Sequence, residues 1–259
     1  AWNAFVKNSG MTYSDEVTPK RALDYLDSNY GSGNGKSFNN NKSALNTIFR
    51  CCLIEAGLDV SPFASIMDKT VTAIQHHRNL TLEEIDLIMK NANPLIQVMV
   101  MLSRWTSLRL ETCARITENM LDGNRNVFVI DPGKTKRFDK WVCVPVFKPL
   151  KDFLFLPEIK SKFPHDKDKP IVFGFGYGNQ KSFSKSFGLL LKKLHISDNN
   201  SGTACFHSIR GTAITYFKEH GIRGEELRMI TGHESSAVED IYARDIATVS
   251  NLATKLFCM

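Results

Sequence analysis

Apolar residues along the chain recur mostly at helical spacing, with one stretch of a different period near the middle. Thr18 precedes Pro19, and Leu23, Leu26 and Tyr30 then return every three or four positions until Gly31, which predicts a capped helix. After the polar loop GSGNGKSFNNN, the positions Ala44, Leu45, Ile48, Phe49, Cys52 and Leu53 predict a second helix ended by Gly57. Phe63, Ile66, Met67, Thr70 and Ile74 predict a third. The polar segment HHRNLTLEE follows, with Thr81 and Glu84 spaced as a capping box before Ile85, Ile88 and Met89. A domain boundary is placed there, giving a small helical unit over 1–78 and a larger one over 79–259. In the larger unit Asn93 and Pro94 open a mostly apolar helix, and another helix begins around Leu110, so the pair encloses the turn SLR.

Between Val127 and Val146 the period shortens. NVFVID and KWVCVPV read as two strands of an antiparallel hairpin, joined by the basic loop PGKTKRFDK. Phe183, Phe187, Leu190, Leu191 and Leu194 then mark another amphipathic helix. From His207 the pattern is helical to the end, with a second capping box at Ser236 and Glu239. The expected fold class is mainly α with a small antiparallel β-sheet (α+β).

Composition narrows the picture modestly. Hydrophobic content of 42% supplies a core for one large or two modest domains. A formal charge of +6 makes an anionic partner plausible without identifying it. Six cysteines show neither C-x-x-C pairing nor Cys/His metal spacing and read as buried, reduced thiols. The first residues lack a basic-then-apolar signal pattern. The longest apolar run, Leu95 to Leu102, is too short to span a bilayer, so a soluble intracellular protein is expected.

Four short motifs carry chemistry. Arg109 sits in the SLR turn, and Lys134 lies in the hairpin loop with Lys136 two residues on. HSIRG places His207 and Arg210 three apart at a helix start, on one face, with Ile209, Ala213 and Phe217 supplying the opposite, buried face. A His and an Arg at a helix N-terminus suit a phosphate. TGHESSAVEDIY holds His233 and Tyr242 nine residues apart, the tyrosine on a capped helix. Each motif alone is common; a tyrosine on an amphipathic helix is ordinarily core or interface.

Taken together and in this order, the motifs resemble the tyrosine recombinase (integrase) family over roughly residues 79–245. The N-terminal unit resembles that family's core-DNA-binding domain in position and size only. The resemblance implies a site-specific recombinase that cleaves and rejoins DNA through a 3′-phosphotyrosine, with Tyr242 as the nucleophile and a free 5′-hydroxyl as the other product. Because the bond energy is conserved, no cofactor is expected. Arg109 and Arg210 would neutralise the phosphate with guanidinium forks that stay protonated. His207 would be the base near the phenol, His233 a phosphate hydrogen-bond donor, and Lys134 (or Lys136) the acid for the departing oxygen. No metal is needed when these cations supply the positive charge. The implied partners are double-stranded DNA and two to four copies of the chain on it, with no membrane. The compartment is that of the target DNA, a bacterial or archaeal cytoplasm or a nucleus.

Several points stay open. The family has an acidic residue three positions after its first arginine, where this chain has Thr112, with Glu111 one place earlier. Arg104 and Arg115 are alternatives to Arg109. A telomere resolvase, a type IB topoisomerase-like enzyme and a non-catalytic DNA-binding relative would share most of these residues. The stripe Ile246, Val249, Leu252, Leu256 and Phe257 is expected to dock on a neighbouring protomer, with packing in cis the alternative. The glycines of GFGYGNQKS lack phosphate-loop spacing and read as a turn. His76, His77, His165 and His195 show no metal spacing, and His220 lies near a helix end; none calls for a functional role.

Overall fold

A computed structural model describes residues 1–33, 35–71, 77–130, 142–176, 180–196, 198–199 and 202–231. The chain divides into two compact units, Ala1–Gln75 and His76–Met259.

The first unit is helical. It contains α1 (Trp2–Asn8), α2 (Pro19–Tyr30) and α3 (Lys36–Cys51). Thr18 caps α2 by accepting a hydrogen bond from the Arg21 amide, with Pro19 in the first turn. Phe5, Ala22, Tyr25, Leu26, Phe38, Leu45, Phe49 and Phe63 form its core. The Phe5 ring stands edge-on to those of Tyr25, Phe49 and Phe63.

The third helix expected over 63–74 does not form among the described residues. Phe63 and Ile66 are buried as the spacing required, but Met67 is 85% exposed and residues 61–71 are not helical. The cause is Asn39 on α3. Its side chain donates to the Lys69 carbonyl and accepts from the Lys69 amide, both at 2.8 Å, and so holds this backbone without helical partners.

In the second unit Thr81 and Glu84 form the expected capping box at the start of α4 (Leu82–Asn91). Asn93 caps α5 (Pro94–Thr106), whose inner face of Ile96, Met99, Val100 and Leu102 lies in the core. After a tight turn come α6 (Leu110–Cys113) and a three-stranded antiparallel sheet: β1 (Leu121–Asp122), β2 (Val127–Ile130) and β3 (Val142–Pro145), in that order. The register pairs Phe128 with Val144 and Val129 with Cys143. The helix expected from Leu110 is thus a single turn, and Arg115 lies exposed beyond it.

Next follow α7 (Lys148–Leu154), α8 (Pro157–Lys160) and a 3-10 turn over Ile171–Phe175. In that turn Gly174 comes so close to the Lys162 carbonyl that a Cβ would stand 1.6 Å from its oxygen. Then come α9 (Gln180–Lys193), α10 (Phe206–Glu219) and α11 (Gly224–Thr231). Phe183, Phe187 and Leu191 bury one face of α9, and the first two rings pack edge-on against Phe206 at the start of α10. Among the described residues no helix is long and apolar enough to cross a membrane.

The cysteines depart from the expectation that all are buried. Cys113 and Cys143 are, Cys205 is half-buried, and Cys51 and Cys52 are exposed at the end of α3, where Leu45 and Phe49 have already filled the core face.

Candidate active site

The site begins at the turn between α5 and α6. Ser107 ends α5 in the left-handed region, with φ at 54°, and its amide donates to the Ser103 carbonyl at 2.9 Å. Ser103 Oγ donates to the Leu108 carbonyl at 3.1 Å, and Thr106 Oγ1 accepts from the Leu108 amide at 3.3 Å. The turn is therefore fastened from inside by two hydroxyls. Arg109 stands at its end, as the N-cap position of α6, and is exposed. Among the described residues no carboxylate forms an ion pair with it, neither Glu111 nor any other.

Arg104, the alternative, is enclosed instead. It is 6% exposed, its guanidinium lies 4.4 Å from the Tyr216 ring centroid and 5.3 Å from that of Trp105, and among the described residues its Nη1 has no hydrogen-bond partner. Burial pushes its pKa down.

The helix carrying His207 and Arg210 starts at Cys205, whose amide donates to Ser208 Oγ at 3.0 Å. The two residues do not share an exposed face as their spacing suggested: His207 is exposed, whereas Arg210 is 4% exposed and turned inward beside Ile209 and Ala213. Buried there, Arg210 spends its fork on backbone. Nη1 donates to the Ser107 carbonyl and Nη2 to that of Thr231 at 3.0 Å. It thus ties the SLR turn to the last residue of α11, immediately before the segment carrying His233 and Tyr242. Burial first, and then the neighbouring Arg109 charge, push the Arg210 pKa down to about 10, which leaves it charged at neutral pH.

His207 reaches solvent, yet partial burial is the largest cause lowering its pKa below 6.5, followed by His77, Arg210 and Arg109. The imidazole is therefore neutral at pH 7 and free to accept a proton. The same interactions place Arg109, His207 and Arg210 within electrostatic reach of one another. Lys134, Lys136, His233 and Tyr242 lie outside the described residues, as do the second capping box and the C-terminal apolar stripe.

One neighbour was not legible in the sequence. His77 stands with its ring centroid 5.4 Å from that of His207 and its Nδ1 3.3 Å from Cys205 Sγ. The segment that delivers it is lashed to the start of α10. His77 bridges to Thr203, and the Arg78 amide donates to the Thr203 carbonyl at 3.1 Å. The Leu80 amide donates to Thr212 Oγ1 at 3.0 Å, and Asn79 Nδ2 donates to Thr215 Oγ1 at 2.9 Å. Gly211 makes room for this crossing, since a Cβ there would meet Asn79 Oδ1 at 2.1 Å. Arg78 itself is buried and gripped by both Glu84 oxygens at 2.9 and 2.7 Å. The only sequence signal for this arrangement is the polar HHR run at the unit boundary.

Comparison with known proteins bears on the family and the fold. The sequence pattern of the Phage integrase family matches residues 78–248. No curated protein sequence gives a significant match. Among solved structures, the Tn1549 transposon integrase in complex with transposon right-end DNA superposes with a TM-score of 0.66 at 18% identity, covering 93% of this chain and 88% of that one. A lambda integrase dimer bound to a COC′ core site gives 0.64 at 16% identity, covering 84% and 79%. A lambda integrase tetramer bound to a Holliday junction gives 0.64 at 16%, covering 85% and 65%. At such identities these likenesses speak for the fold.

Proposed function

Since the chain belongs to the phage integrase family, a family of site-specific tyrosine recombinases, we propose that it cleaves and rejoins double-stranded DNA with Tyr242 as nucleophile. The phenolic oxygen attacks the phosphorus and the 5′-oxygen leaves. His207 takes the phenolic proton and Lys134 supplies one to the leaving oxygen, with Lys136 as the alternative donor. Arg109 and Arg210 offset the charge that builds on the non-bridging oxygens, and His233 donates a hydrogen bond to them. Residues 1–78 serve as a DNA-gripping helical unit and 79–259 as the catalytic domain. The partners are duplex DNA and further copies of the chain, a reading supported by relatives solved as a dimer and a tetramer on DNA.

The observation that carries this reading is the clustering of an exposed arginine with a neutral histidine and a buried arginine from a helix about 100 residues further along the chain, the buried arginine bonded to the last residue of α11, just before the His233–Tyr242 segment. Incubation with DNA bearing the target site should give a protein–DNA adduct that survives denaturation, and Tyr242→Phe should abolish it while leaving DNA binding intact. An undiminished adduct in that variant would overturn the assignment.

A further inference from the structure

We propose that His77, Cys205 and His207 form a binding site for a soft divalent cation such as Zn²⁺, and that occupation of this site switches the enzyme off by taking the candidate base. The inhibitory consequence rests on the role proposed above for His207; the binding itself does not. Cys205 Sγ and His77 Nδ1 are 3.3 Å apart. Two such ligands on one tetrahedral zinc stand about 3.6 Å apart, given its usual bond lengths to sulfur and nitrogen. The centroids of His77 and His207 are 5.4 Å apart. Two imidazoles on one tetrahedral zinc have centroids about 5.2 Å apart by the same bond lengths. Two of the three edges of a three-ligand face therefore have the right length.

No three His, Cys, Asp or Glu side chains among the described residues already converge on a single point. His207 is exposed, so its ring can turn toward the His77–Cys205 edge. The other two ligands are fixed by backbone. Cys205 is the N-cap residue of α10, and His77 is pinned through the Thr203 bridge and the Leu80–Thr212 bonds. Thiolate and imidazole are the donors a soft or borderline cation prefers, and the fourth position stays open to water. Binding would release the thiol proton to solvent. Linear spacing conceals the site because His77 and Cys205 are 128 residues apart.

The test is a Co²⁺ titration of the full chain, followed by its thiolate-to-metal absorption, with Zn²⁺ as competitor. It is done in a Cys51→Ser/Cys52→Ser/Cys258→Ser background, where Cys113 and Cys143 are buried and Cys205 is the accessible thiol. A saturable band at one cobalt per chain is expected. It should vanish with Cys205→Ser or His77→Ala, and His207→Asn should weaken the affinity at least about tenfold. Serine is a favoured N-cap, so Cys205→Ser preserves the helix start. Zn²⁺ should slow adduct formation by about 10²-fold, the lower range for loss of a general base, reversibly on chelation, and spare the Cys205→Ser variant. A band that is absent from the background, or that survives Cys205→Ser, overturns the site. Tight binding that leaves adduct formation unchanged overturns the switch. Absence of an adduct even without metal would instead count against the recombinase reading, with the spectral titration unaffected.

Discussion

Arg210→Lys separates two jobs that a single arginine performs here. The guanidinium bonds the Ser107 and Thr231 carbonyls at once, and a lysine ammonium on a flexible stem reproduces at most one of these while keeping the charge. Loss of one hydrogen bond from a charged donor to a buried carbonyl costs about 1.5–3 kcal/mol. In a unit of this size that lowers Tm by about 3–12 °C. The charge is affected as well. Burial and Arg109 bring the arginine down to about 10, and the same surroundings would depress a lysine as well, from a lower intrinsic value. A cation with a depressed pKa is charged below that value and neutral above it, and a lysine here would lose its charge at a lower pH than the arginine does, so variant activity should fall on the alkaline side of neutrality while wild type stays level. The assays are thermal unfolding and single-turnover adduct formation from pH 6.5 to 9.5. A variant with wild-type Tm and a level pH profile would refute the clamp, and activity lost at unchanged Tm would leave Arg210 acting on phosphate alone.

Three further outcomes are expected. Glu84→Gln should cost about 1.5–3 kcal/mol at pH 7 by removing the carboxylate that grips Arg78. Arg78 holds the Glu84 pKa below 4.5, so this stabilisation is present above 4.5 and lost as pH falls through the lower folded value; the stabilities of the two proteins should converge as the pH is taken progressively below 4.5. Gly211→Ala gains about 0.5–1 kcal/mol of helix propensity but displaces Asn79 from Thr215, a loss of about the same size, so its measured stability should barely change. Combined with Asn79→Ala it should stabilise relative to Asn79→Ala alone, and a destabilised double variant would mean that the backbone is what clashes. Lys134→Ala should be rescued by a substrate with sulfur at the bridging 5′ position, because a thiolate leaves without a proton; rescue of Lys136→Ala instead would move the acid two residues along.

How much was legible in the sequence depended on whether the signal was local. Thr18–Pro19, Thr81–Glu84 and Asn93–Pro94 are caps made by residues within one turn of each other, and each starts a helix where it was read. The segment after Ser61 departs from its periodicity because its determinant, Asn39, is 30 residues away from Lys69 and acts on backbone that periodicity does not see. The same limit applied to the site. Arg109 and Arg210 could be selected by motif, but that Arg210 is buried and His207 is not reflects the packing of α10 between the SLR turn and α11. His77 has no partner near it in sequence, and its neighbours in space, Cys205 and His207, lie 128 residues or more further along the chain.

The buried position of Arg210 also bears on how the site treats its substrate. Without DNA, Arg109 lies close enough to Arg210 to lower its pKa, and among the described residues no carboxylate forms an ion pair with Arg109. That repulsion destabilises the empty site. A phosphate with its non-bridging oxygens between the two forks would reverse its sign, and the benefit would grow as negative charge accumulates on those oxygens in the transition state. A carboxylate beside Arg109 would relieve the repulsion in the free protein and so weaken that gain. The absence of an acidic residue at Thr112 is thus consistent with a site whose positive charge is left for the scissile phosphate to satisfy, while Arg210 keeps its orientation from the Ser107 and Thr231 carbonyls.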